Sequence, residues 1–143
     1  MNLSNDFLFQ QLKQHHLKMT ECRKAMIHTL IEMKHPFTAD ELLHAIETRH
    51  SIHRATVYRD IAWFVQAGVL QKLSFIGIPA TYYEVYTGKH HHHFVCEHCH
   101  RIIDVDTDEG EQCIGEVERK LTAKGLQVNS HKLKFYGLCN HCR

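Results

Sequence analysis

The run HHHHFVCEHC, His90 to Cys99, decides how this chain is read, together with a second short motif, CNHC, at Cys139 to Cys142. Each C-x-x-C pair brings two thiolates to one ion from a tight turn, and two pairs complete the tetrahedron that structural zinc prefers. Residues 100–138 lie between the pairs, which is room for a strand, a helix and a strand. The shell of Cys96, Cys99, Cys139 and Cys142 is closed, so it predicts folding energy and not catalysis. Disulfides are the competing reading, and a compartment that keeps thiols reduced argues against them. Cys22 and Cys113 stand outside the tetrad and suit small buried hydrophobes or inert surface thiols.

The four histidines ahead of the first pair carry a second message. Successive side chains on a strand point to opposite faces. His91 and His93 therefore share one face and His90 and His92 the other, so one strand can feed two separate metal sites. Each site needs further ligands. The candidates are His35, Glu84, Asp104, Glu111 or Glu116, and His131. A solvated histidine patch is the alternative.

Upstream, apolar periodicity marks a series of helices. The first runs from about Ser4 to His15, with Phe7, Leu8 and Leu12 on one side. Thr20 caps a second, whose apolar positions are Met26, Ile27, Leu30, Ile31 and Met33, and Pro36 ends it. Thr38 with Glu41 three residues on forms a capping box for a third, with Leu42, Leu43 and Ile46 as its buried stripe. A further strong helix spans Arg54 to Gln66 and stops at Gly68. Val69–Phe75 and Thr81–Tyr86 then alternate as two strands around a turn at Gly77 and Pro79. Helices followed by such a hairpin predict a winged helix-turn-helix. Downstream, the pattern predicts a strand through the histidines to Cys96, a strand over Arg101–Val105, a helix from about Gln112 to Lys124, and a last strand over Val128–Tyr136. The expected organisation is a winged-helix domain over residues 1–86, a hinge at 87–89, and a metal-binding domain over 90–143, an α+β fold in all.

Within the helix Arg54–Gln66, Val57, Ile61 and Phe64 can bury one face, which leaves Thr56, Tyr58 and Arg59 pointing elsewhere near its start. A recognition helix presents side chains to base edges and phosphates from that position. The competing reading is an ordinary solvated face, and the wing-like hairpin shifts the balance toward DNA. The formal net charge of +1 neither supports nor excludes a nucleic-acid partner, since a local patch matters more than the total. No apolar run is long enough to cross a bilayer and the N-terminus lacks a signal-type core, so a cytoplasmic protein with no membrane partner is expected.

Thr56-Val57-Tyr58-Arg59, the Gly68-Val69-Leu70 helix end, the histidine run before C-x-x-C, and His131 with Tyr136-Gly137-x-Cys139-x-x-Cys142 together closely resemble the ferric uptake regulator family of bacterial metal-responsive repressors. The resemblance covers nearly the whole chain, from about Leu17 to Cys142. It implies a C-terminal α/β dimerisation domain, a homodimer on a double-stranded palindromic operator, and metal as co-repressor. It places a regulatory metal site on His35, Glu84, His91, His93 and Asp104, and a second site on His90, His92, His131 and an acidic helix residue, with Glu111 preferred over Glu116. Lys18, Arg23, Thr56, Tyr58 and Arg59 are the implied DNA contacts. The family's usual glycine after the first cysteine pair is His100 here.

Imidazole and carboxylate donors without thiolate suit iron(II), with zinc or manganese as alternatives, beside the structural zinc. The expected function is therefore a repressor of metal uptake genes, most naturally iron uptake. A zinc-uptake or a peroxide-sensing regulator of the same family is the alternative. A small metallohydrolase or a metal buffer is more remote. No general base can be named without removing a metal ligand, so no enzyme is expected.

Overall fold

The computed structural model describes residues 5–15, 17–86, 88, 91–105 and 108–143, with the side chains of residues 5–7, 108 and 109 outside that description. The chain forms two compact units, Met1–Lys89 and His90–Arg143. The expected hinge residues Thr87 and Lys89, and His90, lie outside the described residues.

The first unit is built from α1 (Asn5–Gln14), α2 (Glu21–Glu32), β1 (Phe37–Thr38), α3 (Ala39–Glu47), α4 (Arg54–Gln66), β2 (Leu70–Phe75) and β3 (Ile78–Val85). Thr20 caps α2 by accepting from the Arg23 amide at 3.3 Å. The Thr38 capping box is complete: the Glu41 amide donates to Oγ1 at 3.2 Å, and the Thr38 amide donates to the Glu41 carboxylate at 2.7 Å. These caps fix where the apolar stripes begin. Leu8, Leu12, Met26, Ile27, Leu30, Leu42, Ile46, Val57 and Phe64 then meet in one core with Phe37 and Leu70. A fully buried Leu or Phe contributes about 1.5–3 kcal/mol relative to exposure, so this cluster carries the unit.

β2 and β3 form an antiparallel hairpin, and β1 adds to the other side of β3 in the order β1-β3-β2. Gly77 turns the hairpin with φ +77, a conformation that costs glycine nothing sterically. This is the wing of a winged helix-turn-helix. β1 went unpredicted because two residues, Phe37 and Thr38, give no periodicity. Its place comes from Phe37 pairing with Tyr83 across the sheet.

The second unit contains β4 (His92–Cys96), β5 (Ile102–Val105), α5 (Asp108–Ala123) and β6 (Lys134–Gly137). β4 is central, antiparallel to β5 and parallel to β6. A parallel neighbour requires a crossover, and α5 supplies it. The helix starts four residues earlier than its apolar stripe suggests, because Asp108 and Glu109 are residue types that suit a helix N-terminus. The last strand is shorter than expected. Residues 128–133 are not strand, and the pairing with β4 begins only at Lys134.

This unit buries few apolar side chains: among the described residues only Val95, Cys96 and Cys139. Ile103, Val117, Leu126, Phe135 and Leu138 remain substantially exposed. A unit of this size with so thin a core needs a staple or a partner.

Candidate metal centres and nucleic-acid interface

Cys96 ends β4 and Cys99 follows in the turn to β5. In the parallel register Cys96 lies opposite Gly137, which delivers Cys139 and Cys142 to the same end of the sheet. One sulfur from each of the four cysteines lies within 4.8 Å of the others, and Cys99 and Cys139 are 3.8 Å apart. None of them is in a disulfide. Backbone amides, first that of Cys99 and then that of Cys139, lower the Cys96 thiol from 9.0 to about 5. The Cys139 amide itself donates to Cys96 Sγ at 3.4 Å. The Cys139 thiol is also lowered, chiefly by the amide of His141. Desolvation first, and then the neighbouring sulfurs, push the Cys142 thiol up to about 12. Four sulfurs this close cannot all ionise without a cation among them, and the donor set suits tetrahedral zinc.

The turn between Cys96 and β5 closes with His100 N–H donating to the Cys96 carbonyl at 2.9 Å. His100 sits at φ +58, the only described non-glycine residue with positive φ. The backbone here keeps the left-handed conformation that a glycine would adopt freely, although the residue is histidine.

The face alternation along β4 is realised. His91 and His93 stack edge to face with ring centroids 4.9 Å apart. His93 is paired directly across the antiparallel ladder with Asp104, and its Nε2 lies 3.7 Å from Oδ1. One ligand atom from each of His91, His93 and Asp104 falls within 4.8 Å of the others. His93 is buried and Asp104 half-exposed, so this cluster opens at one side.

His92 faces the opposite way, toward α5. Its Nε2 lies 2.5 Å from Glu111 Oε1, and the Nε2 of His131 lies 3.7 Å from the same oxygen. His92, Glu111 and His131 thus form a third donor cluster. Glu116 is exposed and belongs to no such cluster among the described residues. Residues outside the expected set also contribute here. Glu118, about two turns along α5 from Glu111, accepts from His131 Nδ1–H at 2.9 Å. Its seven-residue spacing from Glu111 puts both on one helix face, a signal present in the sequence.

In the first unit, Glu84 is buried on β3, opposite Gln71 on β2, whose side-chain amide donates to its carboxylate. His35 is exposed between α2 and β1, with Nδ1–H donating to the Pro36 carbonyl at 3.0 Å. It belongs to none of the donor clusters among the described residues.

On α4, Val57, Ile61 and Phe64 are buried, Thr56 is half-buried, and Tyr58 and Arg59 are exposed. The Tyr58 hydroxyl donates to Asp40 at 2.9 Å, and Arg54 reaches both Asp40 at 2.6 Å and the Tyr58 oxygen at 3.1 Å. Arg54 was not among the expected contacts, although it opens the same helix. Lys18 is exposed. Arg23, one of the expected DNA contacts, also has a place inside the unit. Its guanidinium donates to Asp60, 1% exposed, at 2.9 Å and to the Lys18 carbonyl at 2.6 Å. It is a brace between α2 and α4, because a carboxylate as buried as that of Asp60 needs a hydrogen-bonded partner.

A winged-helix unit joined to an α/β unit that carries clustered thiolate, imidazole and carboxylate donors defines a metal-responsive DNA-binding regulator. The chain belongs to the ferric uptake regulator family, whose model matches residues 14–136. It is 31% identical to the peroxide operon regulator of Bacillus subtilis (strain 168), covering 93% of this chain and 89% of that one. It is 30% identical to the ferric uptake regulation protein of Campylobacter jejuni, covering 99% and 92%. Its fold matches that of the Helicobacter pylori ferric uptake regulator with a TM-score of 0.84 at 22% identity, over 99% of this chain and 95% of that one.

Proposed function

We propose that this regulator is a homodimeric repressor whose hold on a double-stranded operator is set by iron(II). The regulatory ligands are His91, His93 and Asp104 of the second unit with Glu84 and His35 of the first. Three nitrogen and oxygen donors from one unit leave coordination positions for others, and a carboxylate and an imidazole from the first unit complete a set that suits iron(II). A bound ion draws ligands from both sides of residues 87–89 and thereby favours one angle between the units. That angle sets the separation of the two α4 helices in a dimer, which must match successive major-groove faces. Metal shifts the population only by its differential affinity for the DNA-competent state.

The observation that carries this reading is the alternation along β4, which gives His91 and His93 to one donor cluster and His92 to another. Ile103, Phe135 and Leu138 exposed on a thin second unit support a second copy as partner. Tyr58 and Arg59, with Thr56 and Lys18, are the DNA contacts. Such a role belongs to the cytoplasm and requires no turnover; no helix among the described residues is long and apolar enough to cross a membrane.

A second reading is favoured by Asp104 in the donor cluster and by likeness to the peroxide operon regulator. There, peroxide would oxidise a histidine ligand and release the operator. Anaerobic operator titrations with chelator, iron(II), manganese(II) or zinc(II) test the first reading. Affinity that appears only with metal, and most strongly with iron(II), is expected; affinity indifferent to chelation overturns it. Mass spectrometry after peroxide treatment of iron-loaded protein separates the two. A single added oxygen on His91 or His93, with loss of DNA binding, selects the sensor.

A further inference from the structure

Glu118 has no part in the donor sets above, yet its contact with His131 determines what that imidazole can do. Neutral imidazole carries one N–H and one lone pair. The Glu118 carboxylate accepts from His131 Nδ1–H at 2.9 Å, which leaves the lone pair on Nε2. That nitrogen is directed to the Glu111 oxygen, 3.7 Å away, which His92 Nε2 also approaches. The rings of His92 and His131 lie 5.7 Å apart between centroids. A ligand histidine held this way has its tautomer and ring orientation chosen before any ion arrives.

The geometry has two supports that do not depend on each other. Glu111 and Glu118 lie on the same face of α5, so the helix delivers the donor and the orienting group together. His131 comes from the irregular segment after α5, which no ladder bond holds in register. The imidazole thus belongs to the least constrained part of the cluster, and the Glu118 contact ties that segment back to a rigid helix. His92 is fixed differently, on the central strand β4.

We infer that Glu118 is a positioning residue for a divalent-cation site on His92, Glu111 and His131, acting through the Nδ1 of His131 and not as a ligand. This rests on the reading of that cluster as a metal site. Replacing a partner of this kind weakens metal affinity by about 10- to 100-fold. The shorter reach of alanine removes the acceptor, whereas glutamine keeps an oxygen for Nδ1–H.

The test uses the full chain with zinc retained in the cysteine site and cobalt(II) as the probe. Cobalt affinity and visible absorption are measured for the unmodified protein and for Glu118→Ala, Glu118→Gln and His131→Ala, each also in a His93→Ala background that isolates the cluster. The expected result has three parts. His131→Ala abolishes cobalt binding in that background, Glu118→Ala lowers affinity about 10- to 100-fold, and Glu118→Gln recovers most of it with an unchanged absorption band. Unaltered affinity in Glu118→Ala, while His131→Ala still loses the ion, overturns the positioning role and leaves the site reading standing. Glutamine as damaging as alanine with a shifted band makes Glu118 a ligand and overturns it too. If the unmodified cluster takes up no cobalt, the site reading fails and the inference fails with it. Loss of zinc or of cooperative melting in Glu118→Ala, with Glu118→Gln no better, shows a folding role and also overturns it.

Discussion

Arg23 and Asp60 show how a residue expected at the DNA interface can also carry a structural contact. From sequence, Arg23 is one of the expected DNA contacts; in the fold its guanidinium donates to a carboxylate that is 1% exposed. Removing one member of a buried pair leaves the other charged and poorly solvated, so Asp60→Ala is expected to cost about 3 kcal/mol in urea unfolding. His100 illustrates the reverse, a residue that fits its function poorly on conformational grounds. A left-handed backbone costs a side-chain-bearing residue about 1–2 kcal/mol, partly offset by the greater chain entropy that glycine loses. His100→Gly is therefore expected to raise stability by roughly 0.5–1 kcal/mol in the same assay. The thiols set a pH dependence with two signs. Cys96 falls to about 5 from an ordinary 9.0, so its contribution to the metal-free fold is complete above pH 9 and is lost as the pH falls through about 5. Cys142 rises to about 12, so its contribution is complete below pH 9 and fades toward pH 12. Chelator-treated, reduced protein should accordingly become harder to unfold with urea between about pH 6 and pH 9, and easier beyond that range. A midpoint that falls between those two values would contradict the depressed Cys96 thiol.

Among elements, the short α3 depends most visibly on its cap. Its nine residues form too brief a helix to be stable alone, and both halves of the Thr38–Glu41 box are in place. Thr38→Ala should destabilise the first unit by about 1 kcal/mol, read as a lowered melting temperature, with Thr38→Ser close to unchanged. That box was legible because its logic is local: a hydroxyl, three residues, a carboxylate. The bounds of α4, the first wing strand and the opposed faces of β4 were legible for the same reason, since periods of 3.6 and 2 survive in a short window. The second wing strand begins at Ile78, three residues before the expected Thr81, and takes in Pro79, a residue expected in the turn. Three features were not. β1 exists only through its pairing with β3. The strand expected over Val128–Tyr136 forms only from Lys134, where it pairs with β4. The partners of Arg23 and His131, Asp60 and Glu118, are chosen by tertiary contacts and not by neighbours along the chain. Ligand types on the histidine strand could be read directly, whereas the groups that orient those ligands required the fold.

For the whole molecule, the clamp reading makes a quantitative demand that a metal buffer or an always-on DNA binder does not meet. If metal and operator both favour the same inter-unit angle, each must strengthen the other's binding by the same factor, because both paths around the thermodynamic cycle end in one complex. A switch from about 1% to about 99% DNA-competent molecules needs a preference of roughly 10⁴-fold, about 5.5 kcal/mol, for one state over the other. More modest coupling, about 1–3 kcal/mol per site, corresponds to changes of roughly 5- to 150-fold. The measurement is a pair of titrations at one salt concentration, since phosphate contacts make affinity depend steeply on salt. Operator affinity is measured with and without manganese(II), and manganese affinity with and without operator. Both ratios should exceed one by the same factor, and both should collapse toward one in Asp104→Ala, which removes the cross-strand partner of His93 from the cluster. Arg59→Ala provides the contrast. It should weaken operator binding with or without metal, yet leave manganese affinity of the free protein unchanged, because its loss touches the duplex and not the angle. Equal ratios in the unmodified protein but no effect of Asp104→Ala would move the coupling to the cluster of His92, Glu111 and His131. Ratios of one in the unmodified protein would mean that the ion does not act through the state that binds DNA.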